Sequence, residues 1–252
     1  MRKLSGIIRY TFTEIFRNRV YYVLILFGAV LVFSTLLFGA LGGEQRQRMI
    51  VDMGLAGMEL FALAIAVFAA VTLVLEEMES RTLYLILTRP VARAQFILGR
   101  FLGLIALITL AYGAMTFAHV LLCKLVHVPL DHRYALAIYF SWEKIVLITA
   151  VAMFFSLFAT STVSALTFTL FFWIMGHFSA ELRYLAHRSH DPFILFISTI
   201  FYYIAPNFEL MNLKDVPPLT HLGWLWPAAG YGFFYTASAL ALTMVIFRRK
   251  EF

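Results

Sequence analysis

The sequence predicts an all-α integral membrane protein, with six transmembrane helices in one domain over residues 1–252. Three observations predict it. The chain is 62% hydrophobic and 13% charged, with a mean hydropathy of +0.85. A soluble domain carries about 25% charged residues, so this chain lacks the polar surface to cover itself in water. Its apolar residues also gather into runs of about 20, the length that crosses a bilayer. Finally, basic residues cluster at both ends, the pattern of cytoplasmic termini. The net charge of +6 therefore marks inner helix ends and does not point to a nucleic-acid partner.

The first span is Val20–Leu41, free of charge. It is too long for the hydrophobic region of a cleaved signal, which runs about 7–15 residues. The second, 55–75, holds one charge, Glu59, near its start. The third is 98–122 and holds His119; the last is 224–247, with Pro227 near its beginning. Between them, Ile145–Gly176 is long for one crossing and short for two. Parity resolves it. Arg2, Lys3, Arg9, Arg17 and Arg19 at one end, and Arg248, Arg249 and Lys250 at the other, place both termini inside. An even number of crossings follows, and the middle run becomes two helices, 138–158 and 162–180, turning at Ala159-Thr160-Ser161-Thr162. Glu143 and Lys144 then fall near the outer end of the first of these.

The loops agree. Segment 76–100 faces inward with Arg81, Arg89, Arg93 and Arg100, whereas 42–54 carries only Arg46 and Arg48 as basic residues. Trp142, Trp224 and Trp226 fall near the outer interface, where indole rings prefer to sit. Residues 1–19 space Leu4, Ile7, Ile8, Phe12, Ile15 and Phe16 as one helical face, which reads as an interfacial helix on the cytoplasmic leaflet. In the outer segment 181–221, Phe193–Ile204 is apolar but only half a span long, a re-entrant or interfacial helix. Cys123 is the sole cysteine, so no intrachain disulfide forms. The absence of an Asn-x-Ser/Thr site fits a bacterial inner-membrane protein.

Residues 76–103 carry the most information. Acids end the second span, a short apolar run Leu83–Leu87 follows, and Pro90 stops it by removing a backbone donor. Arg93 and Arg100 lead into the third span, where Gly99 and Gly103 permit close helix contact. On physical grounds this is either a short rigid helix able to receive force from a soluble partner or a solvated positive-inside loop.

Glu76/Glu77, Ser80-Arg81-Thr82-Leu83, Leu87, Arg89-Pro90-Val91, Arg93 and Gly99-Arg100 together resemble the cytoplasmic loop of type-2 ABC exporter permeases. The layout is also similar, and the nearest likeness is to the permease linked to copper-site maturation of nitrous-oxide reductase. Ser80-Arg81 stands where Gly is common in that family, and Arg100 where Lys is common. The resemblance implies that two permease copies, identical or different, pair in the lipid bilayer, each docked to an ATPase subunit. ATP and magnesium would sit on those two ATPase subunits, with accessory proteins on the periplasmic side. It assigns coupling to the loop 76–95, through Glu76, Glu77, Arg81, Leu83, Leu87, Pro90 and Arg93. Nothing in the motif names a substrate.

Other readings share these residues. Glu76-Glu77-Met78-Glu79-Ser80-Arg81 also matches the Glu-Glu-x-x-x-Arg motif of CAAX-type intramembrane proteases, in which paired acids activate water. That family's Phe-x-x-x-His motif is missing, and the two His-x-x-x-Asp matches, His127/Asp131 and His187/Asp191, fall on the outer side. A non-transporting membrane anchor of a partner complex is the other alternative. His119, Cys123 and His127 recur every four residues, with Met49, Met53 and Met58 toward the same side. One helix cannot wrap three ligands around a metal, so packing and interface polarity explain this spacing, and no metal site is expected. Glu59 within a span costs a few kcal/mol unless it faces protein or water; with His119 it either lines a pathway or pairs locally.

The chain holds no Gly-x-x-x-x-Gly-Lys-Ser/Thr segment to cradle phosphates. The purified chain without a partner is therefore expected to release no phosphate from ATP above a detergent blank. Steady turnover by the isolated chain would exclude the permease reading.

Overall fold

The computed structural model describes residues 2–16, 19–79, 93–189, 191–212, 223 and 225–249. These form nine α-helices: α1 Arg2–Phe16, α2 Arg19–Leu41, α3 Arg46–Glu79, α4 Arg93–Leu125, α5 His132–Ser156, α6 Thr162–His177, α7 Ser179–Ser189, α8 Pro192–Ile204 and α9 Leu225–Arg249. No strand occurs among the described residues. Helices satisfy every interior backbone group within the segment, which hydrocarbon demands.

Among the described residues, four stretches are long and apolar enough to cross a membrane: Gly43–Leu75, Arg93–Leu125, His132–Ser156 and Leu225–Arg248. Gly28–Leu41 within α2, together with α6 and α8, is apolar but shorter. α3 and α5 form the centre, each 72% buried over its apolar window against 44% and 33% for α4 and α9. α3 packs against α2, α4, α5 and α6, and α5 also packs against α9. The outer face of α2 presents Leu26, Val30, Phe33, Leu37 and Leu41. That row at helical spacing is a surface only lipid or another apolar chain covers.

Contacts define two poles. At one, Arg93 at the start of α4 donates to the carbonyl oxygens of Phe247 and Arg248 at the end of α9, at 3.4 and 2.9 Å. These acceptors are among the orphan carbonyls of a helix end, where a cation is favoured. α1 lies at the same pole, packed on α4 where that helix offers glycines. A Cβ at Gly99 would strike Ile7, and one at Gly103 would strike Thr11. At the opposite pole, His119 late in α4 meets the Ile50 carbonyl early in α3 and the Tyr134 hydroxyl early in α5.

The turn between α5 and α6 falls where expected. Ser161 caps α6, with reciprocal bonds to Ser164. Asp131 caps α5, and Asp191 caps α8 ahead of Pro192. Helix ends differ from the hydropathy reading. α3 starts at Arg46, not 55, because Arg46–Asp52 continue the helix beyond the apolar window, with Arg48 and Asp52 paired at 3.4 Å on its exposed surface. α6 ends at His177, and the polar α7 follows where 162–180 was read as one span and 181–221 as a loop segment. Glu143 and Lys144 require a larger correction: both are buried in the interior of α5, because each packs against a neighbouring helix. Trp224 lies outside the described residues; Trp226 is exposed, and Trp142 donates to the Thr109 hydroxyl at 2.9 Å.

Candidate functional site

The residues the sequence singled out occupy three regions. The first is the pole that carries α1. Glu76 and Glu77 belong to the last turns of α3. Arg81, Leu83, Leu87 and Pro90 lie outside the described residues, and Arg93 opens α4. The segment between α3 and α4 is thus framed on its far side by an anchored helix start. Besides the Arg93 clamp, Arg100 is buried, donating to the Glu14 carboxylate at 2.5 Å and the Thr11 hydroxyl at 3.2 Å. Its guanidinium lies over the rings of Tyr10 and Phe96, at 5.2 and 5.5 Å from their centres. Phe96 in turn stacks on Phe247. The start of α4, all of α1 and the end of α9 are therefore held as one body.

The second region is a buried polar centre among α3, α5 and α6. Glu59 is 5% exposed and Lys144 3% exposed. The Lys144 ammonium donates to Glu59 Oε1 at 2.6 Å, and the Ser141 hydroxyl donates to Oε2 at 2.7 Å. Ser141 and Lys144 stand three apart on α5 and share a face, so both reach α3 together. His177, in the last turn of α6, sets Nε2 3.8 Å from the same Oε1. Glu59 is the one residue of this centre that the sequence flagged. Lys144 is separated from it by 85 residues, and no local pattern joins the two.

Glu143 lies beside this centre but faces another way. It is buried against α9, where a Cβ on Gly232 would meet its Oε1 at 2.5 Å, and its Oε2 has no hydrogen-bond partner among the described residues. Nothing in its sequence neighbourhood distinguished it from a solvated acid.

The structure places His119 and Cys123 together, sulfur to ring nitrogen at 3.8–4.0 Å. Both His119 nitrogens have partners, the Tyr134 hydroxyl at 2.6 Å and the Ile50 carbonyl at 3.2 Å. Gly54 leaves room for the ring, since a Cβ there would overlap it. His127 lies past the end of α4, in a turn with φ of 59°. No group of three His, Cys, Asp or Glu side chains that could hold a metal ion occurs among the described residues.

Removing one partner of a buried ion pair leaves the other uncompensated, commonly at a loss of about 3–5 kcal/mol. Lys144→Met is therefore expected to lower thermal stability in detergent sharply, and Glu59→Gln added to it to restore most of the loss. A Lys144→Met chain as stable as the unmodified one would show that the pair contributes nothing to holding α3 on α5.

Residues 7–252 match the family model described as ABC-2 family transporter protein. No curated protein matches the chain.

Proposed function

The chain belongs to the ABC-2 family of transporter proteins, and on that premise we propose how it works. Membership makes it a multi-pass membrane permease subunit of an ATP-binding cassette transporter, one that associates with an ABC ATPase. In our reading, α2, α3, α4, α5, α6 and α9 are the six crossings, and α8 is a re-entrant or interfacial helix on the outer side. Both termini and the segment 76–95 face the cytoplasm. Two permease copies pair, two ATPase subunits dock beneath them, and ATP binding drives cargo outward.

The observation that carries this reading is the anchoring of α4 directly after that segment. Arg93 ties the start of α4 to the end of α9, and Arg100 ties it to α1. A push delivered between α3 and α4 is then not absorbed by a loose helix end. It moves α1, α4 and α9 together against the α3–α5 centre, the rigid-body kind of motion by which packed helices switch between states. The two poles support the sidedness: the pole with α1, Arg93 and Arg248 is the basic one, and basic residues mark the cytoplasmic side. The family match favours this reading over an intramembrane protease. Glu76 and Glu77 close α3 at the α1 pole, whereas His127 follows α4 at the other.

Truncating a desolvated member of a charge pair commonly costs about 2–5 kcal/mol, against about 0–1 for an exposed pair. Glu77→Ala, or a glycine inserted after Leu85, is expected to leave membrane insertion normal while ATPase-driven export falls by at least about tenfold. Each variant would be co-purified with its ATPase, and complex yield, turnover and export measured together. If all three match the unmodified protein, the segment is a passive connector and the coupling role is wrong.

A further inference from the structure

We propose that the cleft between α5, α6 and α9 binds an uncharged lipophile that carries a hydroxyl at one end and enters from the bilayer. The inference goes beyond the permease reading and does not depend on it.

The cleft has a volume of about 470 Å³, in the lower part of the range of about 300–1,000 Å³ that small-molecule pockets occupy. Tyr231, Tyr235, Ser238 and Leu242 line it from α9, Phe155 from α5 and Phe172 from α6. The four α9 residues are spaced i, i+4, i+7 and i+11, one stripe of the helix, so the cleft runs for about 16 Å along α9. Leu242 is 55% exposed, and Phe234 on the same wall is 70% exposed. The mouth is therefore apolar, and its guest comes from hydrocarbon. None of the described residues that line the cleft is charged. A guest with an ionised head would lose its water there and gain no counter-charge, so the guest is neutral.

Polarity falls along the stripe, from hydroxyls at 231, 235 and 238 to the side chain of Leu242. Tyr231 and Tyr235 lie one turn apart, with ring centres separated by 5.9 Å. The Tyr231 hydroxyl accepts from the Asn207 backbone N–H at 2.9 Å, so its own hydrogen remains to donate. The Tyr235 hydroxyl donates to the Ile204 carbonyl at 2.6 Å, so its oxygen remains to accept. A donor and an acceptor side by side match a hydroxyl, which accepts from the first and donates to the second. A ketone or an ether answers only the donor, and an alkane answers neither. Ser238, whose hydroxyl donates within its own helix to the Phe234 carbonyl at 2.8 Å, adds a further acceptor. Both tyrosines are half-buried, where water competes less for such bonds. Their bonds to Ile204 and Asn207 hold the two hydroxyls in place before any guest arrives, which lowers the ordering cost of binding. The ring faces and Leu242 then receive the apolar remainder of the guest.

The test uses the full chain in lipid nanodiscs. A dodecanol carrying a mid-chain diazirine is photo-activated, and its adducts on the peptides that hold Phe155 and Leu242 are quantified by mass spectrometry. Unlabelled dodecanol or dodecane is added in rising amounts as competitor. Dodecanol is expected to suppress the adducts saturably, at a membrane concentration lower than that of dodecane by about tenfold or more, the worth of two hydrogen bonds. Tyr231→Phe removes the donor and keeps the ring; it is expected to reduce that preference by about threefold or more and to leave competition by dodecane unchanged. Ser238→Leu fills the cleft from an exposed position whose hydroxyl bonds only its own helix, and is expected to abolish the saturable adducts at an unchanged melting temperature. Equal suppression by alcohol and alkane in the unmodified chain would make the cleft a contact for acyl chains only and overturn the proposal. Adducts that no competitor saturates, or no adducts because a second copy covers the cleft, would overturn it as well. If Tyr231→Phe releases Asn207 and removes the adducts altogether, Ser238→Leu decides: adducts lost in it support the site, and adducts that survive it overturn the site.

Discussion

Hydrocarbon makes an unpartnered charge costly, and the Glu59–Lys144 pair is how this chain carries two charges at its centre. Each member alone inside a membrane helix would be unfavourable by several kcal/mol. Together, with Ser141 on the second carboxylate oxygen, they bind α3 to α5 at a fixed register and height. Ion pairs of this kind give little net stability over a well-packed apolar pair, and their better-attested use is to specify one arrangement. Here that arrangement is the centre on which the outer helices pack. α2 and α4 lie against α3, α9 lies against α5, and α6 touches both.

The periphery at the basic pole is organised differently. Arg93 and Arg100 are both on α4, yet they tie it to two different elements, because one reaches the end of α9 and the other reaches α1. Glycines at 99 and 103 bring α1 close enough for Glu14 to meet Arg100. The molecule thus has a charge-locked centre and a charge-locked rim, joined at this pole by the segment after α3. In the mechanism proposed above, force enters at one of these bodies and moves it relative to the other.

Much of this was legible in the sequence where a property is local. Runs of apolar residues located the long apolar helices, the amphipathic spacing of Leu4, Ile7 and Ile15 gave α1, and Ser161 marked the turn before α6. What escaped was non-local or masked by an averaged property. Hydropathy counts each charge as a penalty, so it pushed Glu143 and Lys144 toward a helix end, whereas a partner on another helix holds Lys144 in the interior. It also trimmed α3 at Leu55, although a helix does not stop where its residues become polar; Arg48 and Asp52 continue it past the apolar window. α7 was missed because a short polar helix has no hydropathy signal. The residues proposed to couple were assigned that role through a motif, and that motif says nothing of the Arg100–Glu14 contact at the start of α4.

One measurement bears on the whole mechanism. Cys123 is fully buried, so a cysteine introduced at Leu85 can be read without interference from it. In the assembled complex with its ATPase, Leu85→Cys should form a cross-link to the ATPase subunit, in a yield that changes when ATP is added, and should lose reactivity toward a water-soluble maleimide. A cysteine there that stays fully reactive in the complex and never cross-links would contradict the mechanism, because the segment between α3 and α4 would then touch nothing able to move it.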